Sequence, residues 1–411
     1  MPGLNSGGGE KDAVYHDLRA FLRDLEANGD LLRVAEPLAP EPDVAALADA
    51  AFLERGPAVL MEHVTGAAHP LVVGVHATHA RIGRALGLTP GQAPSRVAAE
   101  LDRLWQRYPV PPVQVERAEA PCKAICSTGD EVSLISFPIV RGNERDGGPY
   151  INKGLVITRN PDTGTYNVNI SRLQVKGPRR LGIWAALHHG PGLHFRQAEA
   201  RGEDLPIAIA IGCDPLLALA ATTPLPESWD EYAFAGALRG ASTQLVPAET
   251  VDLLVPAHAE IVLEGWLRTD RIRREVEGPF GEYTGHYSGI NRTPVIDLTA
   301  ITCRCDAIFE QVTIGRPWRE TEVMSHLPLS VGILRQVREI VPEVVAFNAA
   351  STFSSTSVVS LRQGRGGRAK QVMAAVWALD AGAYVKNLFV VDEEDPTVHC
   401  VRQDLRWAAQ C

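Results

Sequence analysis

The sequence lacks three features that would assign it to a special class of protein. Its 40 Lys and Arg residues are outnumbered by 49 Asp and Glu residues, so the formal charge is −9, and nucleic-acid binding, which needs a basic surface, is not expected. The seven cysteines form no CxxC pair, which argues against a disulfide scaffold and for a reducing, cytoplasmic compartment. The longest apolar stretch, residues 205–221, is interrupted by Asp214 and Pro215. The apolar segments on either side are too short to span a bilayer.

What the sequence does contain is typical of an ordinary globular protein. The chain has 411 residues, of which 45% are hydrophobic and 22% are charged. This length predicts two to three domains, and this composition excludes pervasive disorder. Residues 1–12 are polar and rich in glycine, with no basic stretch leading into an apolar one. They are expected to be a flexible start and not a signal peptide.

Hydrophobic periodicity divides the rest of the chain into three parts. Residues 13–115 alternate helical and strand patterns and end near a proline-rich linker, which predicts an N-terminal α/β region. Residues 116–318 are dominated by strand patterns, and residues 319–411 return to an α/β pattern. The elements predicted for these two parts are strands at 154–158, 167–173, 207–211, 259–267, 295–302, 358–361 and 388–391, and helices at 230–238, 330–340 and 369–381.

Two small clusters are compatible with ligand binding, and each has an ordinary structural alternative. Cys303 and Cys305 have a spacing that can chelate a metal, but a period of two in an apolar run also fits one face of a strand. A structural zinc site would need four ligands. The basic, glycine-rich segment 362–370 either contacts a phosphate or lies in solvent.

The segment EGPFGEYTGH, residues 277–286, has the densest site-like character. Glu277 and Glu282 stand five residues apart, and the glycines and the proline between them keep the segment out of a helix. A tight loop can direct both acids into one cleft, where burial and mutual repulsion raise one pKa, as a general acid at neutral pH requires. The alternative is an exposed acidic turn.

Four further side chains allow two interpretations each. Arg172 ends a strand-like segment and either clamps a carboxylate or lies exposed on an edge strand. His188 and His189 offer a metal ligand or belong to a polar surface loop. Glu231, taken alone, is the first-turn acid of a helix. Pattern alone does not join these residues into one site.

Together these segments resemble the UbiD family of reversible decarboxylases, which use prenylated FMN. The resemblance runs from about residue 17 to residue 395. The segments that carry it are NVNISR at 167–172, LHHG at 187–190, PESWDEYAFAGALR at 226–239, EIVLEG at 260–265 and EGPFGEYTG at 277–285. All five occur in order and with similar gaps.

The resemblance implies a cofactor site with metal ions. A divalent metal, Mn²⁺ or Mg²⁺, would bridge the cofactor phosphate to Asn167, His188 and Glu231, a set of amide, imidazole and carboxylate ligands that suits such an ion. A potassium ion is implied nearby, with the carbonyl groups of residues 221–224 as candidate ligands. The other implied cofactor contacts are Ile170, Ser171, Arg172, Trp184, Ala185, Ala186, His189, Gly190 and Lys386.

The resemblance also implies a reaction. Arg172, Glu277 and Glu282 match the family's Arg-Glu-Glu (or Asp) catalytic set. The substrate would be an α,β-unsaturated, aromatic or heteroaromatic carboxylic acid that forms an adduct with the modified flavin and loses CO₂. Arg172 would orient the substrate carboxylate, Glu277 would hold Arg172, and Glu282 would protonate the carbon that CO₂ leaves.

The architecture implied by the family is α+β in three parts: an N-terminal α/β region, a central split β-barrel that binds the flavin, and a C-terminal α/β dimerisation domain. Homodimers, alone or within hexamers, are its usual assembly, and a flavin prenyltransferase supplies its cofactor. Family members continue well beyond the position of residue 395 with a substrate-covering helix and a dimer clasp, so the C-terminal part is expected to be short. This leaves one alternative function, a flavin- or phosphate-binding protein that has lost turnover with its lid.

Overall fold

The computed structural model describes residues 15–184, 190–316, 318–350, 355–362 and 366–393. Ala185, Ala186, His188 and His189 therefore lie outside the described residues, as does the chain beyond residue 393. The mixed helix-and-strand architecture in three parts confirms the predicted fold class. Among the described residues, no helix combines the length and the apolar character that a membrane crossing requires.

The N-terminal part packs four helices against a small sheet. Its elements are α1 Leu18–Ala27, β1 Leu31–Val34, α2 Asp43–Leu53, β2 Ala58–Met61, β3 Leu71–Val73, α3 His79–Ala85 and α4 Pro94–Trp105. Helix α1 forms because Asp17 caps its first turn and its apolar stripe, which includes Phe21 and Leu25, is buried. The sheet order is β1–β2–β3, and a fourth strand, β18 (Phe309–Glu310), arrives from the central part of the chain.

The central part is built on a nine-stranded sheet. Its strands are β5 Ile125–Thr128, β6 Tyr150–Ile151, β7 Leu155–Arg159, β8 Tyr166–Ile170, β9 Leu173–Gly177, β10 Arg180–Ile183, β11 Leu205–Ile211, β14 Ile261–Leu267 and β17 Val295–Cys303. The order is β6–β9–β10–β17–β14–β11–β7–β8, with β5 also paired to β17.

The other central elements connect or cover this sheet. They are β4 Val113–Gln114, α5 Gly190–Arg201, α6 Pro215–Ala220, α7 Glu231–Arg239, β12 Gln244–Pro247, β13 Leu254–Pro256, β15 Glu275–Glu277 and β16 Asn291–Thr293. Strands β13, β12 and β4 form one small sheet, and β15 and β16 form another. Asp214 caps α6, which explains why the apolar stretch 205–221 divides into a strand and a helix.

The sheet is curled, so that its two ends come close to each other. Strand β8 is one end of the strand order and β9 is next to the other end, yet only Ser171 and Arg172 separate them in sequence. Three consecutive Cα–Cα steps of about 3.8 Å join Ile170 to Leu173, so these ends lie within about 11 Å of each other. We call Ser171 and Arg172 the barrel seam. The prediction of one strand over 167–173 was wrong, because the chain changes partners at the seam, from β7 to β6 and β10.

The C-terminal part is a small three-stranded sheet with two helices. Its elements are α8 Glu320–Ile340, β19 Val344–Asn348, β20 Thr356–Leu361, α9 Arg368–Ala378, a 3₁₀ helix at Ala381–Tyr384 and β21 Asn387–Asp392. Helix α8 begins at Glu320 and not at residue 330 as predicted, because it continues through Pro328. A proline removes one backbone donor but does not have to end a helix that is buried along its length.

Candidate functional site

The barrel seam positions Arg172. Its guanidinium lies between two aromatic rings, 4.9 Å from the ring centre of Trp184 and 4.8 Å from that of Phe280. Its side chain is only 9% exposed. Such stacking favours a planar cation and holds it in a defined orientation. The alternative of an exposed arginine on an edge strand is therefore wrong.

Two glutamates bind this guanidinium, Glu277 at the end of β15 and Glu282 in the loop that follows it. Glu277, fully buried, accepts hydrogen bonds from Arg172 Nε at 2.9 Å and Nη2 at 3.0 Å, and from the Tyr150 hydroxyl at 3.1 Å. Glu282 accepts a hydrogen bond from Arg172 Nη1, and its side chain remains 25% exposed. The three residues of the predicted catalytic set are thus in direct contact, and Glu282 is the more accessible of the two acids.

The loop that carries both acids is fixed through its backbone. Asp146 Oδ1 accepts a hydrogen bond from the Gly281 N–H at 2.6 Å, and Gly147 N–H donates to the Pro279 carbonyl at 2.7 Å. Gly147 has to be glycine, since a Cβ there would lie 2.3 Å from the Gly278 carbonyl oxygen. These contacts place the acids before any ligand arrives, which favours catalysis over an exposed acidic turn.

The surroundings of Glu282 favour its protonated form. Burial raises the pKa of Glu282 above its ordinary value, and the neighbouring Arg172 opposes this rise while Glu277 adds to it. Burial and the Glu277 carboxylate raise the pKa of the Tyr150 hydroxyl, which therefore stays a hydrogen-bond donor. A carboxyl group that keeps its proton to higher pH can deliver it, whereas a buried carboxylate paired with arginine holds a cation in place.

Two of the three predicted metal ligands converge on one point. Glu231 is the first residue of α7, and its carboxylate accepts hydrogen bonds from the Val168 N–H at 2.9 Å and from Asn167 Nδ2 at 3.3 Å. Asn167 Oδ1 is buried and has no hydrogen-bond partner within the described structure. Burial also raises the pKa of Glu231 to about 8. An unsatisfied amide oxygen and a buried carboxyl group are the kinds of donor that suit a divalent cation.

Gly190 lies next to the side chain of Asn167. A Cβ at this position would lie 2.2 Å from Asn167 Oδ1, so glycine leaves room above the amide. The third predicted ligand, His188, falls outside the described residues. Within those residues, no group of three His, Cys, Asp or Glu side chains is arranged to hold a metal, which also leaves Cys303 and Cys305 without a described metal site.

The remaining predicted contacts are distributed around the seam. Ile170 and Ser171 are half-buried next to Arg172, and the Ser171 hydroxyl lies 3.4 Å from Asn169 Nδ2. Residues 221–224 form the turn after α6. Lys386 is exposed just before β21, and no described contact joins it to the seam. Its role, like that of the turn, stays a prediction.

Sequence comparison agrees with this geometry over almost the whole chain. Residues 22–101, 113–317 and 322–409 match, in turn, the N-terminal, the Rift-related and the C-terminal domains described as 3-octaprenyl-4-hydroxybenzoate carboxy-lyase (UbiD). A phenolic acid decarboxylase of Streptomyces sp. (strain D7) is 39% identical over 393 residues, which are 93% of this chain and 82% of the relative. The chain belongs to the UbiD family.

Solved structures of UbiD-class enzymes superpose closely on the fold. The vanillic acid decarboxylase of Sedimentibacter hydroxybenzoicus in its closed form matches with a TM-score of 0.91 and 39% identity, covering 97% of this chain and 84% of that one. An evolved dimeric form of the UbiD-class enzyme HmfF from Pelotomaculum thermopropionicum, in complex with prFMN, matches with a TM-score of 0.84 and 34% identity, covering 96% and 90%. The predictions of the family and of a carboxy-lyase are confirmed, and a flavin cofactor is supported.

Sequence reasoning missed the residues that support the catalytic set. Tyr150 donates a hydrogen bond to Glu277, and Asp146 accepts one from the loop backbone. The ring of Phe280 lies against Arg172. Tyr150 is 127 residues from Glu277 in sequence, and no local pattern indicates such a contact. Phe280 lies between the two acids in the EGPFGEYTG segment, so its position in the sequence could have indicated a role in the site.

Proposed function

We propose that this protein catalyses the reversible, non-oxidative decarboxylation of an aromatic carboxylic acid with prenylated FMN, with Glu282 as the proton donor. The observation that carries the proposal is the Arg172 guanidinium, stacked between two rings and bound by one fully buried and one partly exposed glutamate. That arrangement combines a fixed cation for a carboxylate with an acid of raised pKa.

Arg172 retains capacity for a substrate. A guanidinium has five N–H groups, and the described hydrogen bonds to Glu277 and Glu282 use three of them. One N–H on each Nη nitrogen is therefore available to orient a substrate carboxylate. Glu277 keeps the guanidinium in its plane, and Glu282 holds the proton that replaces CO₂ on the substrate carbon.

The electron sink of this reaction would be the bound prenylated flavin, since acid–base side chains alone do not stabilise the carbanion. Asn167 and Glu231, with His188, would hold its phosphate through Mn²⁺ or Mg²⁺, and the carbonyl groups of residues 221–224 are candidates for K⁺. The free Oδ1 of Asn167 and the buried carboxyl of Glu231 support this assignment. Ile170, Ser171, Trp184, Ala185, Ala186, His189, Gly190 and Lys386 would supply the remaining cofactor contacts.

The substrate class follows from the named relatives. Phenolic acid decarboxylases and a vanillic acid decarboxylase are similar to this chain at 39% identity, which favours a hydroxylated aromatic acid over sorbic or furan carboxylic acids. We also propose a homodimer or a dimer-based hexamer in the cytoplasm and a flavin prenyltransferase as cofactor supplier. The structure of a dimeric UbiD-class enzyme among the neighbours supports the dimer.

The test is turnover by protein produced with and without a flavin prenyltransferase. We expect absorbance of the modified flavin and CO₂ release from 4-hydroxybenzoic, vanillic or 4-hydroxycinnamic acid only in the co-produced sample. Sorbic and furoic acids serve as comparison substrates. Protein that carries the oxidised prenylated cofactor and Mn²⁺ but releases CO₂ from no acid would contradict the proposal and favour a non-catalytic flavin-binding protein.

A further inference from the structure

A cavity of about 240 Å³ lies in the N-terminal part of the fold, where helix α2 and the segment 73–81 meet the first residue of α8. None of the described residues that line it belongs to the catalytic set or to the predicted cofactor contacts. Its sides are apolar and include Phe52 of α2 and the paired Val59 and Val73 of β2 and β3. Because a cavity of about 150 Å³ admits benzene, this one has room for a single substituted ring.

His79 supplies a hydrogen-bond acceptor to the buried end of this cavity. It lines the cavity and is 9% exposed. Its Nε2 lies 3.0 Å from His326 Nδ1, and His326 Nε2 lies 2.8 Å from Asn348 Oδ1. Burial lowers the pKa of His79 to about 3 and that of His326 to about 4, so both rings are neutral. An amide oxygen only accepts, so the proton of each ring is on Nε2. His79 Nδ1 is then an acceptor, and it has no hydrogen-bond partner in the described part of the chain.

Glu320 supplies a second acceptor and also lines the cavity. Its carboxylate, 1% exposed, accepts hydrogen bonds from the Gly74 N–H at 2.7 Å and the His76 N–H at 2.8 Å, and lies 3.3 Å from Lys153 Nζ. Since a carboxylate has about four acceptor positions, one remains for a ligand. The buried end therefore suits a ligand group that donates a hydrogen bond, such as a hydroxyl, and repels a carboxylate.

The exposed side of the cavity carries an arginine in an unusual backbone conformation. Arg55 lines the cavity, is exposed and has no ion pair in the part of the chain that the structure describes. Its φ of +53° is the only positive value at a described residue other than glycine. Arg55 and Gly56 donate backbone hydrogen bonds to the last turn of α2, in a motif whose left-handed residue is usually glycine. Arg81 also lines the cavity, but Asp30 and two backbone carbonyls bind its guanidinium. Arg55 is thus the cation available to an anionic ligand.

We propose that this cavity is a second binding site, outside the catalytic cleft, for a one-ring hydroxylated aromatic carboxylate. The hydroxyl group donates to His79 Nδ1 or Glu320, the ring lies against the apolar sides, and the carboxylate binds Arg55 at the mouth. Each part of the ligand matches the part of the cavity that it contacts. Binding here requires no turnover, so it holds or fails independently of the proposed function.

Calorimetry on cofactor-loaded protein tests the site with 4-hydroxyphenylacetate, whose carboxyl group is not conjugated to the ring and is therefore not expected to be lost. Phenylacetate lacks the hydroxyl group and should bind about tenfold more weakly. Arg55→Gly should weaken binding of 4-hydroxyphenylacetate by about three- to tenfold and leave that of 4-methylphenol, which lacks the carboxylate, unchanged. Arg23→Gln removes an exposed arginine of α1 that does not line the cavity and should bind all three ligands as wild type does. Equal affinities in wild type and Arg55→Gly would overturn the proposal.

Two further measurements locate the ligand and exclude unfolding as the cause of weaker binding. Crystals soaked with 3-bromo-4-hydroxyphenylacetate should show an anomalous bromine peak in the cavity, and a peak at the catalytic set alone would refute the second site. Glycine fits the left-handed conformation of residue 55, so Arg55→Gly should melt no lower than wild type. Protein that binds the ligand in the cavity but releases CO₂ from no acid would contradict the proposed function and leave this site supported.

Discussion

Replacing Glu277 by glutamine tests the arrangement around Arg172 most directly. Glu277 receives three hydrogen bonds, two from Arg172 and one from Tyr150, on its two carboxylate oxygens. Glutamine has the same shape but only one acceptor oxygen. Whichever way the amide is turned, its NH₂ group faces at least one of these donors, and the buried guanidinium loses one of its two negative partners.

The magnitude follows from burial. Removing one partner of a buried ion pair costs about 3–5 kcal/mol, and the remaining pair between Arg172 and Glu282 reduces that cost. We expect Glu277→Gln to reduce transition-state stabilisation by about 2–3 kcal/mol, because Arg172 is oriented less firmly. This loss corresponds to about a 30- to 200-fold decrease in kcat/KM. Burial is the main cause of the raised pKa of Glu282, and the charge of Glu277 adds to it. Removing that charge lowers the pKa, so the decline of kcat/KM with increasing pH should begin at a lower pH.

Glu260→Gln is the matched control. Glu260 is also fully buried and bound in bidentate fashion by an arginine, with Arg19 Nε at 2.7 Å and Nη2 at 2.8 Å from its oxygens. It should lower thermal stability at least as much as Glu277→Gln. Steady-state kinetics across pH, with cofactor loading measured by absorbance, decide the outcome. If Glu277→Gln kept the wild-type rate and pH profile, or changed them no more than Glu260→Gln, the reasoning would be refuted.

Three further predictions concern other side chains. Glu282→Gln should lower kcat by about 10²- to 10⁴-fold with little change in thermal stability, and solvent-deuterium incorporation into the product measures whether protonation was lost. Tyr150→Phe removes one hydrogen bond to Glu277 and should cost about 1 kcal/mol, a several-fold loss of kcat/KM; a wild-type value contradicts its positioning role. Glu322, a buried acid in the first turn of α8, has a folded-state pKa of about 8 against an ordinary 4.5, so its burial costs stability increasingly as the pH rises from 5 to 8. Glu322→Gln should therefore gain in melting temperature relative to wild type over that range, and parallel curves would contradict this.

The sequence was most informative where one short segment carries the whole signal. The sequence of residues 277–286 contains two acids and glycines and a proline that disfavour a helix. In the structure, both acids form ion pairs with Arg172. Helix α7, predicted over residues 230–238, forms at Glu231–Arg239 with Asp230 as its cap, and capping is a local interaction that sequence can indicate. The predicted roles of the residues, as distinct from their positions, came from the family resemblance and remain proposals.

What the sequence could not provide is the set of contacts made by chain closure. A strand pattern over 167–173 does not reveal that its pairing partner changes between Ile170 and Leu173, because pairing is decided by the curl of the whole sheet. The contact between Tyr150 and Glu277 is equally non-local.

The barrel seam has a consequence for how substrate range can change in this fold. Arg172 is one of the two residues that connect β8 to β9, near the ends of the curled sheet. An insertion there would open the barrel, and a deletion would pull β8 and β9 out of register, so the arginine is a fixed reference point in space. New specificity therefore has to arise from the groups around it, such as the loop after β15, which carries Phe280 and Glu282. In this fold, the position of the arginine is fixed by chain connectivity, whereas the surfaces around it can change without breaking the sheet.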